Sequence, residues 1–339
     1  ASMRKIIMHR TGGPEVLELI EAPAPQAAPG HVVVEAEAIG VGWPDILIRR
    51  GIYRWMPPLP TSPGSDLAGH VIDVGEGVDS ALIGSPVLVT ARELPVRGGC
   101  YAEQIAVPVD ALFRLPTHVA LDAAVCLPNY QVAWNLLHEA PRGQPVQSVF
   151  IRGIAGGVGS ALAQLAKSAG MKVFGSVSSE QKAAFAHQIG ADHTINYTTE
   201  NVADRVLALT GGQGVDLAVD HIGGPDLPDL LRMLGRWGLL VSYNASGGMP
   251  EKNLLAALRE NGVRCPAVRI FEMHVYDDDR VNRRRTMQSV IDLLASGEIK
   301  PMISDRLELA DAGRAHAMVE AGHGLGKVVL MPSLDRGKA

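Results

Sequence analysis

The chain has 339 residues, carries 31 Lys and Arg against 36 Asp and Glu for a formal charge of −5, and is 47% hydrophobic with 4% aromatics. That length and apolar content suit two domains with a buried core and exclude intrinsic disorder. The mild acidic excess gives no footprint for nucleic acid, no apolar run reaches the roughly 18 residues of a membrane span, and the amino end has no apolar signal region. Three cysteines (Cys100, Cys126 and Cys265) lie far apart with no CxxC. Neither a disulfide framework nor a thiolate zinc cluster is expected, and a reduced, cytoplasmic protein is.

In chain order, the first 120 or so residues read as short strands between Gly and Pro punctuation: 32–38, 69–74, 86–90 and 101–107. Strands this short predict a small antiparallel barrel or sandwich. Near Leu121 the texture changes, and apolar runs alternate with helical periods. Strands are predicted at 148–152, 172–177, 193–196, 215–220 and 238–243, with helices over 159–169, 180–189 and 227–234. Strand–helix–strand alternation with short connections predicts a doubly wound parallel sheet. A helix over 280–296 and a closing strand at 326–330 complete the reading.

Gly153-Ile154-Ala155-Gly156-Gly157-Val158-Gly159 falls where a predicted strand ends and a helix begins. Small residues there let the backbone approach a pyrophosphate, and the helix start offers free N–H groups and a positive dipole. Ala155, Gly156, Gly157 and Val158 are therefore candidate dinucleotide contacts. An NAD site normally ends its second strand on Asp or Glu, which binds the ribose hydroxyls. Here the tip reads Gly175-Ser176-Val177-Ser178-Ser179, with no acid before Glu180 and a cation at Lys182. Hydroxyls and a cation suit a 2′-phosphate, so Ser176, Ser178 and Lys182 point to NADPH. Asp277-Asp278-Asp279 followed by Arg283-Arg284-Arg285 is read as dipole complement and i,i+4 pairing on a helix, not as a polyanion site.

Beyond the phosphate loop, Pro63-Gly64-Ser65-Asp66-Leu67-Ala68-Gly69, Gly98-Gly99-Cys100-Tyr101-Ala102-Glu103, Gly190-Ala191-Asp192 with Ile195-Asn196-Tyr197, and Gly214-Val215-Asp216 with Asp220-His221-Ile222-Gly223 carry a family signature. With these segments the chain resembles, from end to end, the zinc-free quinone oxidoreductases (zeta-crystallin-like) of the medium-chain dehydrogenase/reductase superfamily. The resemblance implies an α/β protein with a GroES-like β-barrel catalytic domain over 1–122 and 265–339, and a Rossmann NADP-binding domain over 123–264. It also implies a cleft that holds the nicotinamide, and a homodimer.

Zinc relatives place Cys after the early Gly-Val and His in a GHE-type segment; this chain has Gly42 and Ser65 there, and no four-Cys lobe. No tetrahedral zinc site is expected, and none of the eleven His residues forms a metal-spaced pair. Without a metal to make an alkoxide, alcohol oxidation is not expected. Hydride transfer from NADPH to a quinone or to an enone or enal double bond remains, the protein supplying orientation and a hydrogen bond to the oxygen that gains charge.

Similarity points to Tyr53 and Asp45 as candidate catalytic residues, although a packed tyrosine and a helix-capping aspartate are the plainer readings. Gly42 departs from the family, whose quinone reductases carry Asn beside the nicotinamide. Gln131 falls where a Thr bonds the carboxamide, and Tyr197 matches a residue on the adenine or 2′-phosphate side. Asn244 is expected to face the nicotinamide and Lys327 to lie near the cofactor phosphates. Three readings stand: an NADPH:quinone reductase, an enone or enal reductase, and a non-catalytic NADPH-binding protein, which the loss of the Asn at Gly42 favours.

Overall fold

A computed structural model describes residues 1–322 and 324–336. Its first part contains β1 (Ser2–Ile7), β2 (Glu18–Pro23), β3 (His31–Val41), α1 (Trp43–Arg50), β4 (Asp66–Val74), β5 (Pro86–Thr90), β6 (Gln104–Pro108), β7 (Phe113–Arg114), α2 (Leu121–Ala124) and α3 (Leu127–Trp134). Then follow β8 (Ser148–Ile151), α4 (Gly157–Ser168), β9 (Lys172–Val177), α5 (Glu180–Gln188), β10 (His193–Asn196), α6 (Val202–Leu209), β11 (Val215–Asp220), α7 (Leu227–Leu230), β12 (Leu234–Ser242), α8 (Leu254–Glu260), β13 (Ala267–Ile270) and α9 (Arg280–Ser296). The last are β14 (Ile303–Leu307), α10 (Ala312–Ala321), β15 (Lys327–Leu330) and α11 (Pro332–Arg336).

The chain forms two compact units, Ala1–Pro128 with Ile291–Ala339, and Asn129–Val290. The first is built on β3, the longest strand, which pairs antiparallel with β4, β6 and β15. Register shifts after Val33 and Ala36 bend it, so one strand serves several neighbours. Val32, Val34, Ile39, Leu67, Val89 and Leu330 meet inside. At roughly 25 cal/mol per Å² of apolar surface, each such side chain contributes about 1.5–3 kcal/mol.

The second unit holds a six-stranded sheet in the order β10-β9-β8-β11-β12-β13, its recorded pairings all parallel. Phe150, Phe174, Ala218 and Leu240 are buried there, and their strands read as near-continuous apolar runs, as parallel strands buried on both faces do. The order reverses between β8 and β11, the switch point outside which such sheets bind ligands.

The boundaries differ from the expected 122/123 and 264/265 because β13 joins the parallel sheet and α9 packs on α3. Leu227–Leu234 is not one helix. It stops at Leu230, passes through a 3-10 turn and enters β12 at Leu234.

Candidate functional site

The phosphate loop leaves β8 at the switch point, anchored on both sides. Arg152 pairs with the buried Asp220 at 3.0 Å and donates to the Gly223 carbonyl at 2.7 Å. Gly153 turns the chain at φ +63°, with the Ser176 hydroxyl accepting its N–H at 3.0 Å. Gly156 is the N-cap of α4, and no side chain caps that end. Gly156 and Gly157 are exposed. The helix start thus keeps its free N–H groups and positive dipole for an anion, which is the fit a pyrophosphate requires.

Ser176 corrects an expectation. It is 2% exposed and its hydroxyl is spent on Gly153, so it holds the loop rather than facing a ribose. Ser178, half-buried, stays at the strand tip, and Ser179, which sequence reasoning passed over, caps α5 by accepting the Lys182 N–H at 3.2 Å. Tyr197 is 56% exposed and donates its N–H to the Val177 carbonyl at 3.1 Å, which places it beside that tip. Ser178, Lys182 and Tyr197 therefore share one end of the sheet.

Gln131 and Asn244 make bonds of their own. Gln131 is 2% exposed, and its amide nitrogen donates to the Arg283 carbonyl (3.0 Å) and the Thr286 hydroxyl (3.2 Å). It pins α3 to α9 instead of reaching a carboxamide. The exposed Asn244 turns its Oδ1 onto the Ala245 N–H at 2.7 Å, a local turn bond.

In the other unit, a polar cluster forms under α1. Asp45 has no exposed surface and accepts from the Ser65 hydroxyl (2.7 Å) and the Gly42 N–H (3.1 Å). Arg97 donates to the same Ser65 Oγ at 3.1 Å and lies 5.3 Å from the Tyr53 ring centre, stacked on its face. Burial, then the charge of Asp66, pushes the Asp45 carboxyl up to about 6. Asp66 is raised by burial as well, against the opposing pull of Lys327 and Arg97. Tyr53 is half-buried, and its ring also meets Trp55 at 5.7 Å.

Lys327, expected near the cofactor phosphates, lies against the same cluster. Its stem crosses Gly40 and its ammonium stands 3.6 Å from where a Cβ on Gly42 would lie, with the Asp45 carboxylate 3.7 Å from that same point. It joins the cluster of Asp45 and Asp66. Among the described residues no group of three or more His, Cys, Asp or Glu could hold a metal ion.

A phosphate-ready helix start at the switch point of a parallel sheet in one unit, and a buried polar cluster in a second unit built on an antiparallel sheet, define a nucleotide-dependent dehydrogenase or reductase. Residues 28–117 match the alcohol dehydrogenase GroES-like domain, and 189–330 match a zinc-binding dehydrogenase model. Quinone oxidoreductase of Salmonella typhimurium is 34% identical, over 97% of this chain and 99% of its own. The structure of Escherichia coli quinone oxidoreductase complexed with NADPH aligns with TM-score 0.84 at 31% identity, covering 98% and 100% of the two chains. A Burkholderia 2-haloacrylate reductase is 29% identical over 96% of this chain and 98% of its own. The chain belongs to the quinone oxidoreductase branch of the medium-chain dehydrogenase/reductase superfamily, and is an oxidoreductase.

Proposed function

We propose that this protein is an NADPH-dependent reductase that passes a hydride to a quinone without a metal. The observation that carries the reading is the uncapped start of α4 together with Ser178 just past β9, where an NAD site carries an acid, and Lys182 in the first turn of α5. The nicotinamide would supply the hydride. The chain's own residues do the rest. Gly156 and Gly157 present N–H groups to the pyrophosphate, while Ser178, Lys182 and Tyr197 meet the 2′-phosphate side. Tyr53, with Arg97 stacked on its face, offers a hydroxyl and a flat surface to an aromatic acceptor.

Gly42 and Ser65 bring no thiolate or imidazole to the place where zinc relatives hold their metal, which supports zinc independence. The 2-haloacrylate reductase favours a second reading, reduction of an activated double bond, which needs the same nucleotide and no metal. A homodimer fits the edge strand β13, whose Ile270 is 72% exposed. Two buried free cysteines and one exposed fit the cytoplasm.

NADPH oxidation with a panel of quinones, enones, enals and 2-haloacrylates, with and without chelator, tests the reading. Quinone turnover insensitive to chelator is expected. Turnover of alkenes alone promotes the second reading, and chelator-sensitive activity overturns zinc independence. Silence across the panel with tight NADPH binding leaves a nucleotide-binding protein.

A further inference from the structure

Gly40 and Gly42 flank Val41 at the end of β3, and β15 runs antiparallel beside them with Val329 opposite Gly40 and Val328 opposite Val41. One more step of that register brings Lys327 opposite Gly42. A Cβ on Gly40 would stand 3.3 Å from the Lys327 Cε, tighter than ordinary packing, so the missing side chain is what lets the stem lie along the strand. At Gly42 a Cβ alone would just fit, 3.6 Å from the ammonium, 3.6 Å from Pro44 and 3.7 Å from the Asp45 carboxylate. The amide of an Asn there would need the room those groups hold. The backbone of Gly42 has φ −120°, open to any residue, so conformational strain does not explain the glycine. What the two glycines provide is space for a cation. Lys327 and Gly42 are both half-buried, within reach of a small molecule.

We propose that the Lys327 ammonium is a catalytic residue: it donates a hydrogen bond to the acceptor oxygen that gains negative charge on hydride transfer, in the place of the Asn amide that Gly42 has removed. The inference rests on the reductase reading above. The hydride carries two electrons and one proton to the acceptor, and the second proton comes from water, so Lys327 stabilises charge without being consumed. A cationic donor aimed at a developing oxyanion in a partly dehydrated site supplies more than a neutral amide does. The charge of Lys327 acts on both Asp45 and Asp66, and Asp45 is held in place by Ser65 and Gly42.

The test uses Lys327→Met, Lys327→Arg, Gly42→Asn and the double variant Gly42→Asn/Lys327→Met, each checked for folding by thermal melting. Lys327→Met should lower kcat on the acceptor about 100-fold while the NADPH Kd from fluorescence titration stays within about twofold. Lys327→Arg should retain much of the activity. Gly42→Asn alone should lose activity by displacing the ammonium, and the double variant should recover part of the Lys327→Met loss. A readout without nucleotide accompanies these. 4-Nitrophenol added to the protein alone should bind as the yellow phenolate and titrate lower than in free solution, and this shift should vanish in Lys327→Met. An NADPH Kd weakened tenfold or more with acceptor kcat intact would make Lys327 a phosphate contact and overturn the proposal. So would an unchanged phenolate shift. Should the wild-type protein reduce no acceptor, the reductase reading falls, and the phenolate titration still decides whether Lys327 stabilises an oxyanion.

Discussion

Asp45 and Glu320 are two carboxylates that the fold treats in opposite ways. Asp45, buried beside Asp66, is pushed from 3.8 up to about 6. Its contribution to stability is therefore complete below about pH 3.8 and is lost as pH rises through 6, where ionised Asp45 costs at most about 3 kcal/mol. Asp45→Asn should abolish that decline, so the difference between variant and parent in urea unfolding should change between about pH 4 and 6 and be flat above. A difference independent of pH across that window would mean that Asp45 titrates normally. Glu320 is drawn down to about 2 by Arg49, which is 2% exposed, and by Arg50. Its contribution is present above about pH 4.5 and is lost as pH falls toward 2. Glu320→Gln leaves the buried guanidinium of Arg49 with His316 Nδ1 at 3.2 Å and the Gly12 carbonyl at 3.0 Å. With the Glu320 carboxylate partly open to solvent, a loss of about 1–2 kcal/mol at neutral pH is expected, shrinking toward zero near pH 2.

At the scale of elements, α4 and the phosphate loop act as one body because Gly159 lets them touch. A Cβ on Gly159 would lie 2.6 Å from the Gly153 carbonyl oxygen and 3.0 Å from Ile154, all backbone that cannot swing aside. Gly159→Ala should therefore raise intrinsic helix propensity yet destabilise the protein by about 1–3 kcal/mol and weaken NADPH binding about tenfold or more, read by thermal melting and fluorescence titration. Unchanged binding would show that the loop tolerates a shifted helix. This contact was legible because strand, turn and helix are contiguous in sequence. So were β9 and β11, whose mostly buried residues write near-continuous apolar runs. Leu227–Leu234 misled at its end because its helically spaced leucines run straight into the next strand, and only the β11 pairing decides that Leu234 begins β12. β13, four residues at a sheet edge with Ala267 and Ile270 exposed, carries little pattern to read. The cluster of Asp45, Ser65, Arg97 and Lys327 was illegible for a different reason: β15 lies beyond the whole second unit in sequence and reaches Gly42 only through its pairing with β3.

The whole molecule poses the question of what folds alone. All strands of the parallel sheet, from β8 to β13, lie within Asn129–Val290, and the side chains that bind α3 to α9 lie there as well. Gln131 is 2% exposed and Asn135 fully buried; Gln131 donates to Arg283 and Thr286, and the Asn135 Oδ1 accepts from the Asn282 amide at 3.3 Å. A fragment cut at 264 would strip both amides of these partners at about 1–3 kcal/mol each, and would remove β13 from the flank of β12. Ending at Ser296 keeps α9 whole. Residues 129–296 should therefore give a cooperative thermal transition and bind NADPH with an affinity near that of the full chain, since the proposed phosphate and 2′-phosphate contacts all lie within it. Residues 123–264 should melt without cooperativity and bind the dye ANS. If the shorter fragment instead folds cooperatively and binds as tightly, then β13 and α9 are appendages of the nucleotide unit, and the boundary near 264 is the physical one.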